Sequence, residues 1–327
     1  MNFYTGKTVA VTGCSGYLGS ALVLGLSELP VKIIRVSQKD LLPIIGIETI
    51  KAVDYASKDL WIELFSKADV IFHLAGPTSL YEAANDPVGS ISSTLLPVAQ
   101  MIEAAMIIGH RRRVVFASTA TVYGLTDVFP VSESAPVKPV TNYDLHKLFV
   151  EMQLALATER GILEAVSLRL SNVYGPSSMQ SSGAGRGVLN KVTQLALQRK
   201  KIPLYGGGGY LRDYVYIQDV VRAFMVTGME SGVVGKALNV ASGTGIRVAD
   251  VFKLVAERVE GAVGGKVDVE HAPWPDATDP IELRNFVAST IEIQRATDWR
   301  PRISLEEGLD RLIEHLMHEY NSNEPSF

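Results

Sequence analysis

Tyr143 and Lys147 stand four residues apart in the run Tyr143-Asp144-Leu145-His146-Lys147. That spacing puts both side chains on one face of a helix, which the pattern extends to about Arg160. A phenol titrates near pKa ~10, too high for a good general base at neutral pH. A neighbouring ammonium favours the phenolate and lowers that value, and an oxidised nicotinamide adds to the effect. Just upstream, Ala117-Ser118-Thr119-Ala120-Thr121-Val122-Tyr123-Gly124 offers hydroxyls, of which Thr119 or Ser118 suits a substrate oxygen. Such a set is equipped for acid–base chemistry on an alcohol or ketone, coupled to hydride transfer. Tyrosine–lysine pairs are common on helices, so the weight falls on what precedes them.

What precedes them is an apolar strand, Thr8 to Val11, followed by glycines at 13, 16 and 19 and a helical pattern from Tyr17 to Leu26. Strand, glycine turn and helix in that order make a dinucleotide site. The glycines let backbone approach a pyrophosphate, and the helix N-terminus offers N–H groups to it. Cofactor contacts are expected from Gly13, Ser15, Gly16, Tyr17, Leu18 and Gly19. A second strand, Ile33 to Val36, leads to Ser37, where an NAD-selective unit usually carries an acid. Arg35, Ser37 and Lys39 are placed to surround a 2′-phosphate instead, so the cofactor is NAD or NADP, with the missing acid favouring NADP. Thr49 to Val53 reads as a third strand closed by Asp54, whose carboxylate either meets the adenine or caps the next helix. Val70 to Leu74 is the fourth strand, and the small residues Ala75 and Gly76 after it let a cofactor lie close. His73 on that strand reads as a packed core histidine. Ser90 to Ile108 has helical spacing interrupted by Pro97, and Arg113 to Ala117 is the fifth strand. Apolar strands alternating with helices argue an α/β fold, a doubly wound parallel sheet of the Rossmann type.

The chain has 327 residues, enough for one large domain and a smaller one. Its net charge of −4 gives no reason to expect nucleic acid. The single cysteine, Cys14, excludes an internal disulfide and favours a cytoplasmic location. No signal peptide is expected, because the first strand starts almost at Met1. No apolar run is read as membrane-spanning, and no metal-ligand cluster is predicted.

The glycine pattern, the Ser118-Thr119-Ala120-Thr121-Val122-Tyr123-Gly124 stretch and the Tyr143/Lys147 pair resemble the extended short-chain dehydrogenase/reductases, the nucleotide-sugar epimerase/dehydratase group. Further landmarks match in order across essentially the whole chain: Asp69 to Ala75, Arg169 to Pro176, Arg212 to Asp219, and Trp299-Arg300-Pro301 with Leu305 to Leu309. The resemblance implies a nucleoside-diphosphate sugar as substrate and hydride transfer at its C4. It makes Tyr143 the acid/base, Lys147 its electrostatic partner and nicotinamide-ribose ligand, and Thr119 the hydroxyl on the sugar oxygen. Leu74, Ala75, Gly76 and Ser118 join the cofactor wall. Asn172 and Arg212 are expected on the substrate's diphosphate, and Arg284 is either a second phosphate ligand or a surface residue. The resemblance also implies a homodimer through helices Ser90–Ile108 and Tyr143–Arg160.

The departures narrow the activity. The group's dehydratases carry Asp-Glu after the threonine, where this chain has Ala120-Thr121, so dehydration is disfavoured and similarity to the 4-epimerases is closer. The absent acid near Ser37, and a C-terminal part with Gly185-Arg186-Gly187-Val188 and Arg284, are closer to NADPH-dependent 4-keto-6-deoxyhexose 4-ketoreductases. A 4-epimerase is the leading expectation, a ketoreductase the alternative, and a non-catalytic NADP(H) sensor a distant third. The Rossmann domain is expected over residues 1–175 plus about 212–242. A smaller α/β substrate domain is expected from about 176–211 and 243–327. Ser177 to Gly187 reads as a mobile loop and Gly261 to Gly265 as a helix break within the latter, and Asp219 reads as a helix cap in the Rossmann domain.

Overall fold

The computed structural model describes residues 2–176 and 187–322. The Ser177–Gly187 loop expected to be mobile, with Gly185 and Arg186 of the ketoreductase-like stretch, therefore lies outside the described residues except for Gly187. Strands β1 (Thr8–Thr12), β2 (Lys32–Ser37), β3 (Ile47–Lys51), β4 (Val70–His73), β5 (Arg113–Thr119) and β6 (Glu164–Leu170) alternate with helices. The helices are α1 (Tyr17–Ser27), α2 (Lys58–Lys67), α3 (Leu80–Asn85), α4 (Pro87–Ile108) and α5 (Asn142–Glu159). Beyond β7 (Asn172–Tyr174) come α6 (Val188–Leu197), β8 (Ile202–Tyr205), β9 (Leu211–Tyr216), α7 (Ile217–Thr227) and β10 (Ala237–Val240). The chain continues with β11 (Gly245–Arg247), α8 (Val248–Val263), β12 (Val269–Ala272), α9 (Ile291–Ala296) and α10 (Leu305–Ser322).

The main sheet has seven strands in the order β10-β6-β5-β4-β1-β2-β3, every pairing parallel. Parallel strands need covering on both faces, and both are covered. Leu22 and Leu26 of α1 meet Val220, Phe224 and Met225 of α7 on one face. Trp61 and Phe65 of α2, Val98 and Met101 of α4, and Val150 and Leu154 of α5 fill the other. Strand order reverses between β1 and β4, and a ligand crevice forms at such a switch point. A smaller sheet of β11, β9 and β7, with β12 paired to β8, carries the C-terminal half, its core packed between α6, α8 and α10.

Four expectations need correction. β3 lies two residues earlier than read, because it is the edge strand, pairs only with β2 and carries a weak apolar pattern. α4 starts at Pro87 and runs through Pro97 as one element; at 22 residues, with an 18-residue window of mean hydropathy 1.6, it is long and apolar enough to cross a membrane. Small Ala, Ser and Gly residues hid that, and Val98, Met101, Ala104 and Ala105 pack it as a core helix. Helix α8 passes Gly261 and ends only before Gly264, whose φ of +68° is left-handed. Asp219 does not cap its helix. It lies inside the first turn, and its Oδ2 accepts the N–H groups of Arg302 (3.0 Å) and Ile303 (3.1 Å), pinning the C-terminal segment.

Candidate active site

Two clefts meet at Tyr143. The first, about 670 Å³, opens over the carboxyl ends of β1, β2, β4 and β5. The glycine turn forms its floor. Gly13 has a φ of +68°, and a Cβ there would meet the Ala75 nitrogen at 2.7 Å. A Cβ on Gly19 would lie 2.1 Å from the Gly13 carbonyl oxygen, so α1 packs directly on the turn. Helix α1 starts at Gly16 without any side-chain cap, leaving its first N–H groups for phosphate. Ser15, Tyr17, Leu18 and Lys39 line this cleft, as do Leu74, Ala75, Gly76 and Ser118. A narrow glycine floor, an uncapped helix start and small residues after β4 fit a nicotinamide dinucleotide.

Three expected cofactor contacts are not brought to this cleft. Arg35 turns away: its guanidinium donates to Thr49 Oγ1 (2.7 Å) and to the Leu42 carbonyl (2.8 Å), because Thr49 is its cross-strand partner on the same sheet face. Ser37 is buried and spends its hydroxyl on Ser15 Oγ (3.1 Å) while accepting the Lys39 N–H (3.0 Å). Asp54 caps the turn before α2 by accepting the Ala56 N–H at 2.8 Å. Its neighbour Tyr55 does what sequence reasoning missed. The Tyr55 hydroxyl accepts the Gly13 N–H (3.1 Å) and donates to the Val36 carbonyl (3.0 Å), fastening the glycine turn to β2. His73 is the packed core residue expected. Its ring nitrogen meets Thr12 Oγ1 at 2.8 Å, and burial drives its pKa down to about 3.

Helix α5 carries the Tyr143/Lys147 pair. Thr141 caps it by accepting the Asp144 N–H at 3.1 Å. Lys147 is buried, its Nζ donating to the Ala117 carbonyl at 2.9 Å, and burial lowers its pKa to about 8 against the pull of Glu151. Its ammonium lies 5.8 Å from the Tyr143 ring. The expected lowering of the Tyr143 pKa is not found: burial, and then the Asp144 carboxylate, raise it to about 12, with only Thr119 working downward. The physical reason is desolvation of the buried phenol; the ammonium itself donates to the Ala117 carbonyl and lies 4.7 Å from the Phe116 ring centroid.

Behind this pair lies a buried network that sequence reasoning left unassigned. Glu151, one turn beyond Lys147, accepts the Ser118 hydroxyl and a bidentate pair of bonds from Arg169, at 2.6 Å to Nη2 and 3.1 Å to Nε. Arg169 Nη1 also donates to the Tyr123 hydroxyl (2.9 Å), which donates to Asn239 Oδ1 (2.8 Å). The available signal was the spacing of four between Lys147 and Glu151 on one helix face.

The second cleft, about 740 Å³, shares the Thr119, Tyr143 and Ser171 wall and runs into the smaller sheet. Asn172, Arg212 and Arg284 all line it. Arg284 is partly buried in this wall, its Nη1 donating to the Ile281 carbonyl at 2.9 Å, and burial and the nearby Arg212 charge lower its pKa to about 10. Arg212 is committed elsewhere, donating to the carbonyls of Glu282 (2.6 Å), Leu211 (3.1 Å) and Arg284, so it brings charge to the cleft more than open donors. Asn172 Nδ2 donates to the Asp213 carbonyl at 3.0 Å. Tyr205 and Trp274 stack at 5.4 Å at the far end. No cluster of three metal-binding side chains occurs among the described residues.

A switch-point crevice with a glycine floor, ending at a Tyr/Lys/Thr set, defines a nicotinamide-dependent enzyme of the extended short-chain dehydrogenase/reductase type. The family model described as the NAD dependent epimerase/dehydratase family matches residues 9–241, and the chain belongs to that family. It is 29% identical to a UDP-glucose 4-epimerase of Mycolicibacterium smegmatis over 93% of this chain and 96% of that protein. Among solved structures, the UDP-glucose 4-epimerase of Thermotoga maritima with UDP-glucose superposes with a TM-score of 0.83, at 25% identity over 96% of this chain and 99% of the other. The Thermus thermophilus UDP-glucose 4-epimerase complex with NAD gives 0.81, at 27% identity over 95% and 99%. The chain is thus an NAD(P)-dependent nucleotide-sugar enzyme of the epimerase type.

Proposed function

We propose that this enzyme interconverts C4 epimers of a uridine-diphosphate hexose. The observation that carries the reading is convergence: Thr119 and Tyr143 stand on the wall shared by the dinucleotide cleft and the second cleft, so one sugar carbon reaches both the phenol and the nicotinamide end. The near full-length relatives named UDP-glucose 4-epimerase support it, as does Ala120-Thr121 in place of two acids. A bound nicotinamide supplies hydride acceptance and return at C4. Tyr143 holds and moves the proton on the C4 oxygen, Thr119 positions that oxygen, and Lys147 keeps a positive charge beneath the site. Arg284 supplies charge for the diphosphate. The test is incubation of the purified enzyme with UDP-glucose. UDP-galactose should form to equilibrium without net consumption of reduced cofactor. Stoichiometric oxidation of NADPH with a 4-keto-6-deoxy sugar, and no epimer, would refute it.

NADP is admitted beside NAD in this reading, because Gln38 and Lys39, not an acid, face the adenosine-ribose end. Lys39→Glu should then weaken NADP+ binding about tenfold or more by like-charge repulsion, with NAD+ changed far less, as read by fluorescence titration. Equal effects on both dinucleotides would remove Lys39 from the 2′ position.

We infer a homodimer through α5. Leu145, Phe149, Met152 and Leu156 are half-exposed and follow i, i+4, i+7, i+11 spacing, one face of a helix. Phe149→Glu with Met152→Glu should convert the protein to a monomer in light scattering. A wild type already monomeric would end the proposal.

A further inference from the structure

We infer that Asp144 is a substrate-contacting residue, its carboxylate accepting a hydrogen bond from a sugar hydroxyl other than the one Tyr143 handles. The inference deepens the nucleotide-sugar reading above and rests on it. Asp144 directly follows the reacting tyrosine in the first turn of α5, and its side chain is only 1% exposed. It lines the second cleft. Its Oδ1 takes the Thr121 hydroxyl. Thr121 Oγ1 lies 2.8 Å from Thr119 Oγ1, and Thr119 and Tyr143 line the same cleft wall. A continuous row of polar groups therefore runs along one wall from the phenol to the carboxylate.

The other carboxylate oxygen, Oδ2, is buried with no hydrogen-bonding partner. Leaving a charged acceptor so is more costly than leaving a neutral one, and folded proteins rarely do it without a reason. Arg284 lines the same cleft and its charge acts on Asp144, yet no ion pair within 4.0 Å joins them among the described residues. Arg284 Nε, Ser171 Oγ and the Tyr214 hydroxyl are likewise buried without partners, and all three residues line this cleft. Buried unpaired donors and acceptors on residues that line one cleft match a polyol, whose hydroxyls each donate and accept. Burial raises the Asp144 pKa, and a substrate hydroxyl donating to Oδ2 favours the ionised carboxylate; a deoxy carbon opposite it leaves Oδ2 unpaired.

The test is equilibrium binding of UDP-glucose, its 2-, 3- and 6-deoxy analogues, and UDP alone, to wild type, Asp144→Ala and the isosteric Asp144→Asn, with UDP-glucose turnover followed in parallel. One deoxy analogue should bind wild type about tenfold or more weakly than UDP-glucose, the factor for a lost charge-assisted hydrogen bond. In Asp144→Ala that penalty should vanish, while UDP alone binds all three proteins equally. The same penalty in wild type and both variants for every analogue overturns the inference. Coupling without turnover keeps Asp144 on the sugar and removes the epimerase reading; turnover without coupling does the reverse.

Discussion

Tyr143→Phe should cut kcat for epimerisation by about 10²–10⁴-fold, the range for loss of a positioned acid/base, while dinucleotide affinity stays within about twofold. The substitution removes one hydroxyl from a ring that lines both clefts and disturbs no packing. Stopped assays on UDP-glucose and cofactor titration on the same preparation read both halves. A variant retaining full turnover would show that the phenol is not the proton carrier. The wild-type pH profile belongs to the same prediction. Burial leaves Lys147 with a pKa of about 8 against an ordinary 10.5, so its ammonium is lost as pH rises through about 8. The positive charge beneath the site goes with it, and kcat/KM should fall above that pH. Stability should move the other way. Between about pH 8 and 10.5 the unfolded chain holds more proton at Lys147 than the folded chain does, so this residue's contribution to stability rises with pH across that window. Lys147→Met should abolish both trends, and a profile unchanged by it would refute the assignment.

Glu151→Ala should be the most destabilising single change near the site, costing about 3–5 kcal/mol, the range for leaving one member of a buried ion pair alone. Both partners are buried, at 8% and 6% side-chain exposure, so solvent does not screen the loss. The change leaves Arg169 uncompensated, strips the Ser118 hydroxyl of its acceptor, and loosens the Tyr123–Asn239 bonds beyond. Urea midpoints at constant m-value measure the cost. Glu151 also works against the burial that lowers Lys147, so in any folded Glu151→Gln variant the descending limb of kcat/KM should shift below about pH 8. A wild-type midpoint for Glu151→Ala would show the network to be incidental.

These expectations rest partly on the sequence and partly on its folding, and the division follows distance along the chain. The glycine turn was legible because strand, turn and helix are contiguous, and the steric need at Gly13 and Gly19 arises from backbone packed within and beside that turn. The Tyr143/Lys147 pair was legible because helix geometry alone sets a spacing of four on one face. Parallel order followed from apolar strands alternating with helices.

What failed or was missing involved partners far away. Arg35 was read toward a phosphate, but the Thr49 and Leu42 groups on its other side took its donors. Asp54 instead accepts the Ala56 N–H, and it is Tyr55, beyond the weakly patterned edge strand β3, whose hydroxyl reaches Gly13. Arg212 spends a donor on the Glu282 carbonyl, 70 residues on, and no spacing rule foretells that. The lysine was expected to lower the tyrosine, yet burial and Asp144 raise it, because desolvation depends on the whole packed site. The sequence by itself determined the class of fold, the dinucleotide floor and the spacing that sets Tyr143 and Lys147 on one helix face, since each is fixed by local backbone geometry. Only the tertiary structure decided which charged residues line the clefts, which donors are already taken, and that Asp144 and Arg284 keep buried unpaired atoms beside the second cleft, since those depend on contacts closed across the chain.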